Sequence, residues 1–494
     1  MKSYDRIRML RRSTRTGDGA GLGRILAVAL GLLAASGASP ATAQDYYTDI
    51  RPLLVQNCMG CHTEEGPSWS MEDPEATYER SQRIARAVDR RVMPPWLAAP
   101  GHQEYVGDRS LDDATLTLIE RWADAGFPKG TPRPDPELDM SVRMAAHGTF
   151  SADLTLPVNG DPGYLPEQGR SDDYHCFLVD WSGEETTYVT GFRTVPGNTN
   201  VAHHLVVYTV RPEMWDRYKE IDEEYGPGDG YQCFGGALPD QLGRRENRAA
   251  YEARYPDGVR ELARANDWLA HWAPGMDGHV FPEGTGIRVE PGSGLVVQMH
   301  YYASEAPGER DAGTRMEFMT EQEVERPAIM FAQTRNDWLS GENNGTMVIP
   351  AGEQRTYGLR DNLGEILGYF AYLTGIPEER VQGLEVHSAN LHMHAFGHSG
   401  DVTLQRASGQ EETLLRIPRW DLAWQRDFTF KEPKVLLREE LEDTWLGMSC
   451  TYDNPTEEIV YGGLGSFDEM CFNFSYIAVQ EGEPVSTEEG SGGR

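Results

Sequence analysis

The chain is short of positive charge. Among 494 residues, Lys and Arg total 45 against 78 Asp and Glu, a formal charge of −33. A surface this acidic repels phosphate backbones and excludes nucleic-acid binding. Long apolar runs are also missing: the most apolar stretch, residues 25–35, falls below the ~20 residues that cross a bilayer. With 39% hydrophobic and 25% charged residues, collagen-like, coiled-coil and wholly disordered classes drop out. What is present suits a soluble β-rich protein of two or three domains: 53 Gly and 30 Pro supply many turns.

The ends have their own chemistry. Lys2, Arg6, Arg8, Arg11, Arg12, Arg15 and Arg24 precede the apolar run, and Ala41-Thr42-Ala43 follows it. Residues 1–43 therefore read as a secretory signal, with a twin-arginine hint at Arg11-Arg12; the alternative is a retained membrane anchor. The expected location is periplasmic or secreted, with no membrane span in the mature chain. Residues 481–494, rich in Gly, Ser and Glu, are expected to be a disordered tail.

The first chemical motif is Cys58-Met59-Gly60-Cys61-His62. Two thiols three apart can each form a thioether with a haem vinyl group, and the adjacent imidazole can reach the iron. A redox dithiol would want a thioredoxin-like context, and zinc a second ligand pair nearby. Met93, beyond a helical stretch at 74–90 and before Pro94, is the expected sixth ligand, with Met71 in reserve. Thioether ligation closes the iron and points to electron transfer. A closing helix is expected at 112–125, with Leu116, Ile119 and Trp122 on its apolar side and Ser110 as cap. Residues 44–128 resemble the small class I cytochromes c, which implies a small all-α domain holding one covalent haem c. Residues 129–147 are then a linker, Pro-rich at 129–136.

From residue 148 the texture changes. Short β-branched and aromatic runs alternate with turn clusters, the pattern of antiparallel sandwiches. Residues 211–268 interrupt it with a charged, partly helical insertion. Cys176, Cys233, Cys450 and Cys471 remain; in an oxidising compartment they suggest two disulfides, with three connectivities open.

The 13 histidines cluster. His203-His204 stands at the mouth of one strand and His300 at the end of another; His392 and His394 are two apart. Alternation puts His392 and His394 on one strand face, where they can chelate one ion. His203 and His204 would face opposite sides of a regular strand, and can share an ion only on irregular backbone. With every cysteine assigned, blue copper, which needs a thiolate, is excluded, and no carboxylate pairs with these histidines to suggest an iron triad.

In order and context, His203-His204, His300, His392-Met393-His394 and Asp468-Glu469-Met470-Cys471 resemble the motifs of copper type II, ascorbate-dependent monooxygenases. The likeness spans roughly residues 150–480 and extends to Tyr174 and Cys176. It implies two all-β antiparallel, jelly-roll-like sandwiches, at 148–325 and 326–480. It implies two copper ions, one held by His203, His204 and His300 and donating electrons, the other held by His392, His394 and Met470 and activating O₂. It also implies disulfides Cys176–Cys233 and Cys450–Cys471. Ascorbate, or a donor relayed through the fused haem, would supply electrons.

Substrate positions depart from the peptide-amidating members of that family. Their carboxylate-binding Arg is Asn390 here, and two polar residues beyond the copper Met are Phe472 and Phe474. Tyr174 is retained. A glycine-extended peptide is therefore disfavoured, and the expected substrate is a small apolar or aromatic molecule. The acidic surface suits a basic redox partner. The alternative from another class is a non-enzymatic haem or copper electron carrier, which would want closed metal sites rather than a three-ligand centre.

Overall fold

In the computed structural model, the described residues are 44–64, 69–137, 150–169, 172–233, 236–243, 245–255, 258–272, 278–302, 306–339, 345–463 and 468–484. The expected signal at 1–43, residues 138–147 of the expected linker and most of the expected tail lie outside them. Two compact units divide the chain: residues 1–96 with 107–146, and residues 97–106 with 147–494. Among the described residues no helix is long and apolar enough to cross a membrane.

The first unit is helical in its described part. After a turn of π-helix at Tyr46–Ile50 come α1 (Arg51–Asn57), α2 (Pro74–Tyr78), α3 (Ser81–Asp89) and α4 (Asp113–Asp124). The helical stretch expected at 74–90 is two helices, and Asp73 caps the first through Glu75 and Ala76. Helix α4 is capped not by Ser110 but by Asp112, whose carboxylate accepts from the Thr115 N–H at 2.7 Å. Ser110 stands two residues too early to reach the first turn. Trp122, Ile119, Ile84, Val88, Leu54 and Tyr46 fill the core. The Pro-rich stretch is no free linker through residue 137. Asp135 pairs with the buried Arg51, and Lys129 bonds Glu75 at 2.5 Å.

The second unit is built from strands. In chain order they are β1 (Leu154–Pro157), β2 (Asp173–Asp180), β3 (Thr187–Val195), β4 (Ala202–Val210), β5 (Tyr231–Gln232), β6 (Asn266–Trp272), β7 (His279–Val280), β8 (Thr285–Val289), β9 (Gly294–Tyr301) and β10 (Arg315–Glu321). Then come β11 (Arg326–Gln333), β12 (Val348–Ile349), β13 (Gln354–Asn362), β14 (Val381–His392), β15 (Gly397–Gln405), β16 (Glu411–Ile417), β17 (Phe428–Leu437), β18 (Trp445–Asp453), β19 (Val460–Tyr461) and β20 (Phe472–Glu481). A five-stranded antiparallel sheet, β5-β2-β9-β4-β6, packs its apolar face on a nine-stranded sheet ordered β1-β10-β3-β8-β11-β20-β14-β17, with β7 beside β3. A four-stranded sheet, β13-β18-β15-β16, accompanies the second half.

Two separate antiparallel sandwiches were expected to meet at residue 325. The large sheet instead runs through that point: β11 pairs in parallel with β8 and antiparallel with β20. Sharing the sheet leaves neither half with an open edge at the join. The insertion after β4 is helical at Pro212–Tyr225, Arg245–Arg254 and Gly258–Arg264, with its own small core around Trp215, Tyr218 and Leu262. It ends earlier than expected, because Trp268 already belongs to β6.

Residues 97–106 correct the expected boundary of the haem segment. They belong to the second unit, where Tyr105 bridges Phe430 and the Val106 N–H donates to the Thr429 carbonyl at 2.8 Å. Burial of Leu97, Ala98 and Tyr105 holds the segment there.

Candidate functional site

The first histidine cluster sits where β4 meets β9. Register along this pair runs Ala202 opposite Tyr301 and then His204 opposite His300, so His203 is the extra residue of a bulge. A bulge cancels strand alternation at one position. That is how adjacent His203 and His204 turn to the same side. Their Nδ1 atoms lie 3.1 Å apart, and each stands 3.2–3.3 Å from Nδ1 of His300. A triangle of this size is what three nitrogens make when each is about 2 Å from a shared ion.

The surroundings fix the proton positions. His300 is 1% exposed, and its Nε2 faces the Asp172 carboxylate at 2.9 Å. The Nε2–H therefore donates to Asp172, and the Nδ1 lone pair faces the triangle. Tyr174 stacks on the His300 ring at 4.1 Å with a 3° interplanar angle. It was expected at a substrate; the structure places it as packing for this cluster. Burial, reinforced by His300, pushes His203 down to about 3, and burial drives His204 well below the ordinary histidine value. Three imidazole nitrogens converge on one point, a donor set that suits copper or zinc.

The second cluster presents its nitrogens the other way round. His392 ends β14 and His394 follows two residues later, their ring centroids 5.1 Å apart. His392 Nδ1 bonds the Gln425 amide oxygen at 2.7 Å, and His394 Nδ1 bonds the Asp468 carbonyl at 2.9 Å. Both rings thus carry their proton on Nδ1 and keep Nε2 for a ligand. Burial, with His394 adding to it, pushes His392 down to about 3; His394 is lowered by burial as well.

Glu469 locks this loop. Its carboxylate accepts from the backbone N–H groups of His394 at 2.9 Å and Phe396 at 2.5 Å. Met470 is the next residue, half-buried, with its carbonyl bonded by the Tyr452 hydroxyl at 2.7 Å. The Cys450–Cys471 disulfide fastens the strand immediately after it. The Cys176–Cys233 disulfide joins β2, which pairs with the β9 strand of His300, to the insertion.

The aromatic wall expected at 472–474 takes shape on β20. Phe472 stands opposite His392 and Phe474 opposite Asn390 in the β14–β20 register. The two rings stack at 5.5 Å and 9°. Asn390 is buried, and its amide N–H donates to Asp427 at 2.8 Å. Asp427 also lies 3.3 Å from His271 and from His279. Burial opposes charge on both His271 and Asp427, but their mutual attraction wins: His271 is raised and Asp427 falls well below the carboxylate range.

In the first unit, His62 is 7% exposed, and its Nδ1 donates to the Trp69 carbonyl at 2.8 Å. Its Nε2 is thereby the nitrogen left with the lone pair. Cys58 and Cys61 are unpaired half-buried thiols. Burial, with Cys61 adding to it, pushes Cys58 up to about 12, the reverse of a reactive dithiol. Met71 is buried in the helical core, its N–H bonded to the His62 carbonyl, while Met93 is half-buried.

Sequence reasoning missed Asp172 and Gln425 as groups that orient the histidines, and it quoted Asp468 and Glu469 in a motif without giving them that role. It also missed Trp268, His271 and Asp427. Gln425 lies 33 residues from His392, and no local spacing connects them.

Residues 374–485 match the family model for the copper type II ascorbate-dependent monooxygenase, C-terminal domain. That stretch carries His392, His394 and Met470, and the match supports a copper monooxygenase. No curated protein matches the chain. Among solved structures, the major capsid protein P2 of bacteriophage PM2 is similar at 11% identity and TM-score 0.27, over 67% of this chain and 99% of that one. PNGF-II is similar at 10% and 0.26, over 77% and 72%. Likenesses this weak carry no argument.

Proposed function

We propose that the chain is an exported copper-dependent monooxygenase that hydroxylates a C–H bond of a small apolar or aromatic substrate with O₂. Cys58, Cys61, His62 and Met93 would hold a covalent haem c, which would supply electrons, as ascorbate could. The observation that carries this reading is the Nδ1 triangle of His203, His204 and His300. Burying three lone pairs face to face is costly unless a cation joins them.

His203, His204 and His300 would hold one copper, and His392, His394 and Met470 the other; bound copper would supply the one-electron chemistry and the activation of O₂. The chain's own residues do the rest. Asp172 keeps the His300 proton on the outward nitrogen. Gln425 and the Asp468 carbonyl do the same for His392 and His394. Met470 offers soft sulfur, which favours the cuprous state. Phe472 and Phe474 exclude water beside His392 and give an apolar ligand a flat surface. A haem held on the same chain would supply electrons at high effective concentration, and the chain's negative charge favours a basic donor protein. Export, periplasmic or beyond the cell, is consistent with the two disulfides.

The test is ¹⁸O₂ labelling. Full-length protein with copper and haem is incubated with ascorbate and a panel of alkylbenzenes and alkylphenols. The reading expects a product gaining one labelled oxygen atom. Oxygen consumption with no labelled product, or none at all with copper fully loaded, overturns it and favours an electron carrier. In stopped flow, reduced haem should reoxidise on addition of cupric enzyme and substrate; failure to do so removes the haem from the electron path.

A further inference from the structure

Beside His392 lies a buried patch where polar atoms go unsatisfied. Among the described residues, Trp268 Nε1, His271 Nδ1 and Asn390 Oδ1 are buried and make no hydrogen bond, and His271 Nε2 meets the Asp427 carboxylate at 3.3 Å. Folded proteins leave few such atoms, and several in one place call for an explanation. The residues are neighbours. Trp268 packs on Phe474 at 4.4 Å, and His271 on Phe474 at 5.6 Å. Asn390 stands opposite Phe474 across the β14–β20 ladder. Asp427 ties Asn390 at 2.8 Å and pairs with His271 Nε2 at 3.3 Å.

The chemistry of what they would recognise can be read from these groups. Asn390 must direct its NH₂ at Asp427, because an ionised carboxylate only accepts. Its Oδ1 is thereby left as a fixed acceptor. Trp268 offers only a donor. A group that both donates and accepts through one atom answers both, and a hydroxyl is the simplest such group. An anionic head would meet the Asp427 carboxylate. An ammonium would leave the indole N–H unanswered and face a His271 that Asp427 holds towards its charged form. The stacked Phe472 and Phe474 rings, with Trp268 beyond, supply a surface for an aromatic body.

We infer that Asn390 and Trp268 read the hydroxyl of a neutral aromatic ligand lying along Phe472 and Phe474, with Asp427 and His271 as the groups that position Asn390 and bar charged analogues. This rests on the proposed function for what happens next to His392, but the recognition itself is a binding claim.

It is tested by calorimetric titration of the full-length protein, as isolated with its metals, with four probes: 4-methylphenol, toluene, 4-methylbenzoate and 4-methylbenzylamine. The expected result is 4-methylphenol binding at least about tenfold tighter than each of the others. Asn390→Leu and the conservative Trp268→Phe should each bring 4-methylphenol to the affinity of toluene while toluene binding persists. Equal binding of the probes, failure to bind 4-methylphenol, preference for either charged probe, or an unchanged hydroxyl preference in both variants overturns the inference. Selective binding without ¹⁸O incorporation would count against the oxygenase reading alone. Incorporation without hydroxyl selectivity would count against this inference alone.

Discussion

The two histidine clusters solve one problem by opposite means. At the first, a bulge at His203 breaks alternation, three Nδ1 atoms converge, and a charged carboxylate, Asp172, takes the outward proton. At the second, His392 at the end of β14 and His394 two residues on come together, Nε2 is the nitrogen left for a ligand, and the partners are the neutral Gln425 amide and the Asp468 carbonyl. The first is complete in imidazole. The second, on the proposed function, would be completed by the Met470 thioether, next to Glu469 and to the Cys450–Cys471 disulfide. A closed, charge-supported cluster suits storage of an electron, and an open, softer one suits contact with oxygen.

The sharpest break in that comparison is functional. His392→Ala or His394→Ala should lower oxygen consumption at least about 100-fold while the first cluster keeps its copper; cupric EPR before and after mutation checks this. Next, replacing Cys450 and Cys471 together by Ser should loosen Met470. Copper affinity at the second centre should then fall about tenfold, with the first unchanged, as read by competition with a cuprous chelator. Third, Asp172→Asn should weaken the first centre about 10- to 100-fold. Gln425→Leu should weaken the second by less, because a neutral hydrogen bond is lost in place of a charged one.

The smallest effect concerns pH. Burial holds His203 and His392 down to about 3, so the neutral, metal-binding form persists as pH falls through the ordinary histidine range. Copper affinity should change little between pH 7.5 and 5.5. Histidines titrating near 6.5 would lose affinity steadily below that value, by about tenfold per pH unit per ligand. Chelator competition at several pH values separates the two.

Legibility in the sequence followed the range of the interactions. His392 and His394 could be read as one site because strand period alone puts them together. His203 and His204 could not, since a bulge arises from how β4 registers against β9, some ninety residues on. The β-rich class was visible in alternation and turn residues, whereas the sheet shared across residue 325 depends on which strand lies beside β11. Likewise 97–106 looked like part of the leading segment; distant partners such as Phe430, Thr429 and Arg416 place it with the second unit. The aromatic stripe at Phe472 and Phe474 was legible, but the Asn390–Asp427–His271 patch is assembled from three strands or their approaches and leaves no local mark.

The most direct measurement is copper stoichiometry of the full-length protein alongside its His204→Ala and His392→Ala variants, with X-ray absorption of the cuprous forms. Two independently built centres predict about two coppers per chain falling to about one in each variant, with the sulfur scatterer absent after Met470→Leu. One copper or none in the unaltered protein, or two retained in either histidine variant, would contradict the account.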